Sequence, residues 1–268
     1  MTEGVRLPLL FSARRPVTDL PEARTAASNG GVTWKQAAAD IMAERVTLAV
    51  LVTASVGLIV VRYFPSPSWF VALWSTALSP LARFVWWLAS QVVMWVLVPY
   101  AVARTLGVRK LGLGISGLWS KLWLYGILYA GSAVVIVSAA TQAGFQATYP
   151  FLRPEMVPHW SWKYLLAFWL LYAAQFFCVE FFFRGFLIFS LKDRIGLAAI
   201  PVMVVPYVMI HFGKPLPETV SAVFGGLVLG WLAYRTESIW GGVVLHIMIA
   251  LTMDVASMAF GVGFPVSW

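Results

Sequence analysis

Apolar residues in this chain come in long runs separated by short polar loops, without the one-sided stripes of a water-soluble fold. A helix needs about 20 apolar residues to cross a hydrocarbon core. Runs of that order lie at 46–63, 84–103, 121–141, 163–190, 195–212, 217–234 and 239–261. Porin-type strands would read as weak alternating segments, so the pattern predicts an all-α integral membrane protein, a polytopic bundle of about seven transmembrane helices. The stretch 68–80, "SWFVALWSTALSP", is apolar but short. It leaves open a re-entrant piece, an interfacial piece or an eighth crossing. Residues 1–45 form a polar N-terminal extension in which "LPLLF" is too short for a signal-peptide core. Thr33 with Gln36 three residues on has the capping-box pattern and predicts a short helix on the membrane surface. Residues 46–268 show no repeat and no linker, and read as one membrane domain.

Composition agrees, with 60% hydrophobic and only 11% charged residues, where soluble domains average about 45–50% and about 25%. The net charge of +8 would suggest nucleic acid for a soluble protein. Here juxtamembrane Lys and Arg meet anionic lipid and set topology, so membrane lipids are the expected partners and nucleic acid is not. Arg104, Arg109, Lys110 and Lys121 share one loop, Lys192 and Arg194 another, and Arg235 a third. Alternating spans put these loops on the side of the basic N-terminus, which predicts a cytoplasmic N-terminus. Arg62, Arg83, Arg153 and Lys214 fall on the other side. The single cysteine, Cys178, excludes an intrachain disulfide and a Cys₂His₂ or Cys₄ zinc site. Ala222, Gly226 and Gly230 repeat at four-residue spacing, a small-residue face that lets helices approach closely in lipid.

Against that background "CVEFFFRGF", residues 178–186, places two charges inside an apolar run. An ionisable side chain at mid-membrane costs about 2.5–3.5 kcal/mol on insertion scales and usually faces the bundle interior. Five such residues stand out: Glu180 and Arg184, His211, His246 and Asp254, while His159 lies in the polar loop "PEMVPHW". Glu180 and Arg184, four apart, fit a purely structural ion pair, and each histidine alone fits a hydrogen-bonded packing residue. Taken together, one glutamate and two histidines on three helices can converge on a water-filled pocket. Glu180 supplies a base, and the imidazoles of His211 and His246 can hold an oxyanion or, with Glu180, a divalent ion such as zinc. Counting from the expected inner loops puts Glu180, His246 and His211 at depths of about 18, 14 and 25 Å. His211 is thus two turns too deep unless Pro201 and Pro206 bend or shorten its span.

"VEFFFRG", "YVMIH" and "LHIMIA", in that order on successive late spans over about 160–260, resemble the CPBP intramembrane proteases. This is the CAAX-protease and bacteriocin-processing family, also called type II CAAX prenyl endopeptidases. Its signature is Glu-Glu-x-x-x-Arg, then Phe-x-x-x-His, then His-x-x-x-Asn or Asp. The resemblance implies that Glu180 and Arg184 stand for the second Glu and the Arg, Tyr207 for the Phe, and His211 and His246 for the histidines. It also implies a glutamate and a histidine that activate water, with a second histidine on the oxyanion or a metal. Two positions depart from the signature: Val179 replaces the first Glu and Ala250 the Asn or Asp. Glu180 is turned about 100° from its neighbour. Asp254, eight residues past His246, is about 12 Å further along and is at most accessory. The expected activity is an intramembrane endopeptidase acting on a membrane-tethered peptide such as a sorting tail, propeptide or lipidated C-terminus. The phrasing of the motifs also resembles a branch from bacterial sorting systems, which places the protein in a bacterial inner membrane. Two other readings stay open: an inactive relative serving as scaffold, immunity or assembly factor, and a proton-coupled carrier, for which no inverted repeat is visible.

Overall fold

The computed structural model describes residues 33–35, 44–64, 79–115 and 117–268. From Glu44 onward the described residues form helices and turns, with two isolated bridges, Leu113 to Ser238 and Ser161 to Ser267, and no strand. Helix α1 is Arg45–Tyr63, and α2 runs from Pro80–Gln91 through Val92–Leu97 to Val98–Thr105. Helix α3 is Leu122–Ala139 and α4 the single turn Ala143–Gln146. Helix α5 combines Trp162–Glu180, Phe181–Ile188 and Phe189–Ile195; α6 is Ala199–Met209, α7 Leu216–Thr236 and α8 Trp240–Phe260. The surface helix expected after Thr33 lies, beyond Lys35, outside the described residues, as does most of the segment 68–80. Ser79 caps α2 by accepting from the Ala82 amide at 3.3 Å, with Pro80 in the first turn.

Six helical stretches are long and apolar enough to cross a membrane. One of them, Trp162–Met209, has 48 residues, or about 72 Å at 1.5 Å per residue, more than twice a hydrocarbon core of about 30 Å. It folds back on itself at Gly196, whose φ of +58° breaks the run. Divided there into α5 and α6, the run gives seven apolar helical segments among the described residues, close to the number the sequence predicts. The protein is an integral membrane protein of the all-α class. One expected boundary needs correction. The span expected at 195–212 is a helix only from Ala199 to Met209, about 17 Å long, and does not reach across the core. Pro206 withholds an amide from the ladder, and the helix ends three residues later in a turn at Ile210–Lys214, where Gly213 has φ +94°.

Two segments widen to i→i+5 bonding, Val92–Leu97 in α2 and Phe181–Ile188 in α5. Such turns are rare and concentrate at functional sites. Pro99, which cannot bond the Trp95 carbonyl four residues back, accounts for the first. The two wide turns pack together: Trp95 stacks on Phe182 at 5.8 Å and meets Phe183 edge-on at 5.7 Å. Helix α7 lies against α6 through its small face. A β-carbon at Gly226 would lie 3.1 Å from Tyr207 Cδ1, and one at Gly230 2.9 Å from Ile200. The spacing of small residues is therefore a packing device, and it fixes where Tyr207 stands.

At one end of the bundle Glu237 lies 2.8 Å from Lys192 and 3.5 Å from Lys110, so the loops expected to share a side do meet. The Lys192 hydrogen bond, with help from Lys110, holds the Glu237 carboxyl below its ordinary range. At the other end the loop after α4 dips onto the bundle. Phe151 donates its amide to Asp254 Oδ1 at 2.9 Å. Tyr149 donates its hydroxyl to Glu218 Oε2 at 2.9 Å, beside the Lys214–Glu218 pair. Burial pushes the Tyr149 phenol far above its usual range, so it stays a donor.

Candidate active site

Glu180 is the last residue of the regular part of α5, immediately before the wide turn. Its side chain is 1% exposed and that of Arg184 is fully buried, with Oε1 and Nη1 2.9 Å apart. On the other side of the carboxylate, His246 from α8 brings Nδ1 to 2.7 Å from the same Oε1. These approaches lack hydrogen-bond alignment, and Oε1, the His246 Nδ1 and all three Arg184 nitrogens have no aligned partner among the described residues. Charge attraction holds the carboxylate to the guanidinium. A bare ring nitrogen would repel a carboxylate oxygen at this distance, so Nδ1 carries the imidazole proton.

The approach depends on an absent side chain. A β-carbon on Gly242 would lie 2.2 Å from Glu180 Oε2, so α8 can present His246 to Glu180 only because position 242 is bare. Phe176 stacks on the His246 ring at 5.5 Å and fixes its plane. With Nδ1 protonated, Nε2 of neutral His246 is an acceptor, and the Tyr207 hydroxyl lies 3.0 Å from it. The Tyr207 ring rests on Arg184, whose Cζ is 4.1 Å from its centroid.

His211 joins through the same tyrosine. Its ring lies 4.8 Å from the Tyr207 ring, and its Nδ1 is 2.9 Å from the Tyr207 carbonyl. A carbonyl only accepts, so Nδ1 carries the proton and Nε2 of the neutral ring is a bare acceptor without a partner among the described residues. The depth conflict also resolves. Counted from the real turn at Gly196–Ala198, His211 lies about 18 Å in, close to the 22 Å or so for Glu180.

The structure therefore brings together Glu180, Arg184, His246, Tyr207 and His211, and leaves Asp254 elsewhere. Both Asp254 oxygens are engaged, by the Phe151 amide and by the Trp169 indole at 2.9 Å each. That carboxylate ties a loop to two helices and is not an accessory of the cluster. Val179 packs in the main apolar core at 3% exposure, and Ala250 in a second cluster with Leu165 and Phe168.

A zinc ion held by Glu180, His211 and His246 does not fit this donor set. Both ring nitrogens of His246 face protein partners, one nitrogen of His211 faces a carbonyl, and Oε1 of Glu180 faces a guanidinium and an imidazole N–H. Among the described residues no three of His, Cys, Asp and Glu stand together as a metal-binding group.

Gly242 and the hydroxyl of Tyr207 are the parts that motif reasoning missed. Gly242 lies one turn before His246 on the same helix face, and a glycine inside a membrane helix with no turn to make marks close approach. That signal was available in "GGVVLH".

Residues 160–252 match the family described as Type II CAAX prenyl endopeptidase Rce1-like. The matched segment carries every member of the cluster and excludes Asp254. No curated protein and no solved structure matches the chain.

Proposed function

We infer, with that family match as premise, that the chain is an intramembrane endopeptidase that hydrolyses a membrane-tethered protein. A sorting tail, a propeptide or a lipidated C-terminus would suit, and the setting would be a bacterial inner membrane with the N-terminus cytoplasmic. The observation that carries the reading is the 2.7 Å approach of Glu180 to His246 across two helices, which makes a carboxylate–imidazole base.

The roles follow from exposure and contact. Glu180, 1% exposed and held between the Arg184 guanidinium and the His246 N–H, does not itself meet water. It fixes the tautomer of His246 and steadies the imidazolium that forms. His246, 15% exposed, offers Nε2 as general base, and a water proton passes to it as the water oxygen attacks the scissile carbonyl carbon. The same nitrogen returns the proton to the leaving amine. Arg184 faces the Glu180 carboxylate at 2.9 Å and holds it in place, and the bare Nε2 of His211 orients the water.

The test is Glu180→Gln in the native host, with the termini of membrane proteins read by mass spectrometry. Cut termini that depend on the protein should form at least about 100-fold more slowly while the variant accumulates normally. Unchanged processing would sink the reading. It would favour an inactive scaffold, to which the apolar packing of Val179 and Ala250 lends support.

A further inference from the structure

We propose that the Tyr207 hydroxyl relays a proton between the attacking water and His246; this rests on the endopeptidase reading above. The hydroxyl lies 3.0 Å from Nε2, at the station a water activated by that nitrogen would occupy. The ring that carries it is 3% exposed and has little freedom. Arg184 lies over one part of it, Phe183 meets it edge-on at 5.3 Å, and the bare Gly226 face of α7 stands behind it. Tyr207 also addresses both histidines, His246 through its hydroxyl and His211 through its main-chain carbonyl. A proton entering at the phenol thus reaches the one imidazole that a carboxylate backs.

The step balances. Water gives a proton to the phenol oxygen as the phenol proton passes to Nε2. This leaves hydroxide to bond the carbonyl carbon, an unchanged phenol, and an imidazolium beside Glu180. When the tetrahedral adduct collapses and the C–N bond breaks, the imidazolium proton returns through the same hydroxyl to the amine nitrogen. No oxidant, metal or second substrate is required.

Tyr207→Phe isolates the claim, because it keeps the ring, the Arg184 contact and the carbonyl that holds His211, and deletes one oxygen. The chain has only three histidines, His159, His211 and His246, so the holoprotein labelled with ¹⁵N-histidine in lipid gives three resolvable rings. In the variant the His246 Nε2 resonance should move toward that of a nitrogen without a donor, while both His211 resonances hold. The rate at which Glu180-dependent termini form should fall about 10- to 100-fold, within the range of a lost acid–base contribution. A second variant with 3-fluorotyrosine at 207 changes little but the acidity of the phenol, and should displace the pH profile of cutting. An unmoved His246 resonance, an unmoved pH profile, or Tyr207→Phe cutting at the wild-type rate each overturns the relay. If Tyr207→Phe cuts normally while Glu180→Gln does not, only the relay falls. If Glu180→Gln also cuts normally, the endopeptidase reading falls with it.

Discussion

Arg184→Met should be among the most destabilising single substitutions in the chain, lowering stability in detergent or lipid by about 3–5 kcal/mol. Arg184 is fully buried and Glu180 is 1% exposed, 2.9 Å apart. Removing the guanidinium leaves a carboxylate in an apolar core of Phe181, Phe182, Phe183 and Phe186, where an uncompensated charge is costly. Methionine fills much of the arginine's volume, so a cavity is a minor part of the loss. In a thermal melt the expected shift is roughly 6–20 °C. The control that identifies the cause is the double variant Glu180→Gln with Arg184→Met. It buries no charge at this point and should recover most of the loss, because replacing both members of a buried pair is often neutral. Equal destabilisation of the single and double variants would mean that Arg184 contributes through shape and its stacking on Tyr207, and that the charge pair is incidental.

The course of the helices was legible because lipid demands long apolar runs and satisfied backbones, and the chain writes those demands plainly. The turn inside 162–209 was foreseen to within a few residues, since Lys192, Asp193, Arg194 and Gly196 interrupt the run. The early end of α6 was not, although Pro201 and Pro206 were visible. A proline states that an amide is missing, not whether the helix continues past it. The candidate site was legible as a list: Glu180, Arg184, His211, His246 and Tyr207 all stand together. Its geometry was hidden, for two physical reasons. The contact of Glu180 with His246 depends on the bare face of Gly242, and a missing side chain carries no chemical flag. The wide turn after Glu180 changes the angular relations from Phe181 onward, so a reckoning at 100° per residue does not give the angle between the Glu180 and Arg184 side chains. Asp254 shows the converse error. An intramembrane acid suggests function, yet here it binds a loop amide and an indole and holds the protein together.

Gly242→Ala should cost cleavage nearly as much as loss of Glu180 itself, with far less cost to the fold than Arg184→Met. The new β-carbon would lie 2.2 Å from Oε2 and 2.8 Å from Cδ of Glu180, so the carboxylate must swing away or α8 must retreat. Either movement opens the 2.7 Å approach to His246 Nδ1, and an imidazole without its carboxylate loses both tautomer and support for the cation. The rate of Glu180-dependent cutting should fall at least about 100-fold, the scale of a lost general base. Arg184 can follow the carboxylate, because its nitrogens have no aligned partners to give up, so the melting temperature should change by only a few degrees. Gly225→Ala is the matched control, since no neighbour lies within 4 Å of a β-carbon there, and it should cut at the wild-type rate. The ¹⁵N spectrum adds a local reading: the His246 resonances should move in Gly242→Ala and hold in Gly225→Ala. A Gly242→Ala protein that cuts normally with an unmoved His246 would show that the carboxylate and the imidazole do not work as a pair. The base would then have to be sought at His211, whose Nε2 faces no protein partner among the described residues.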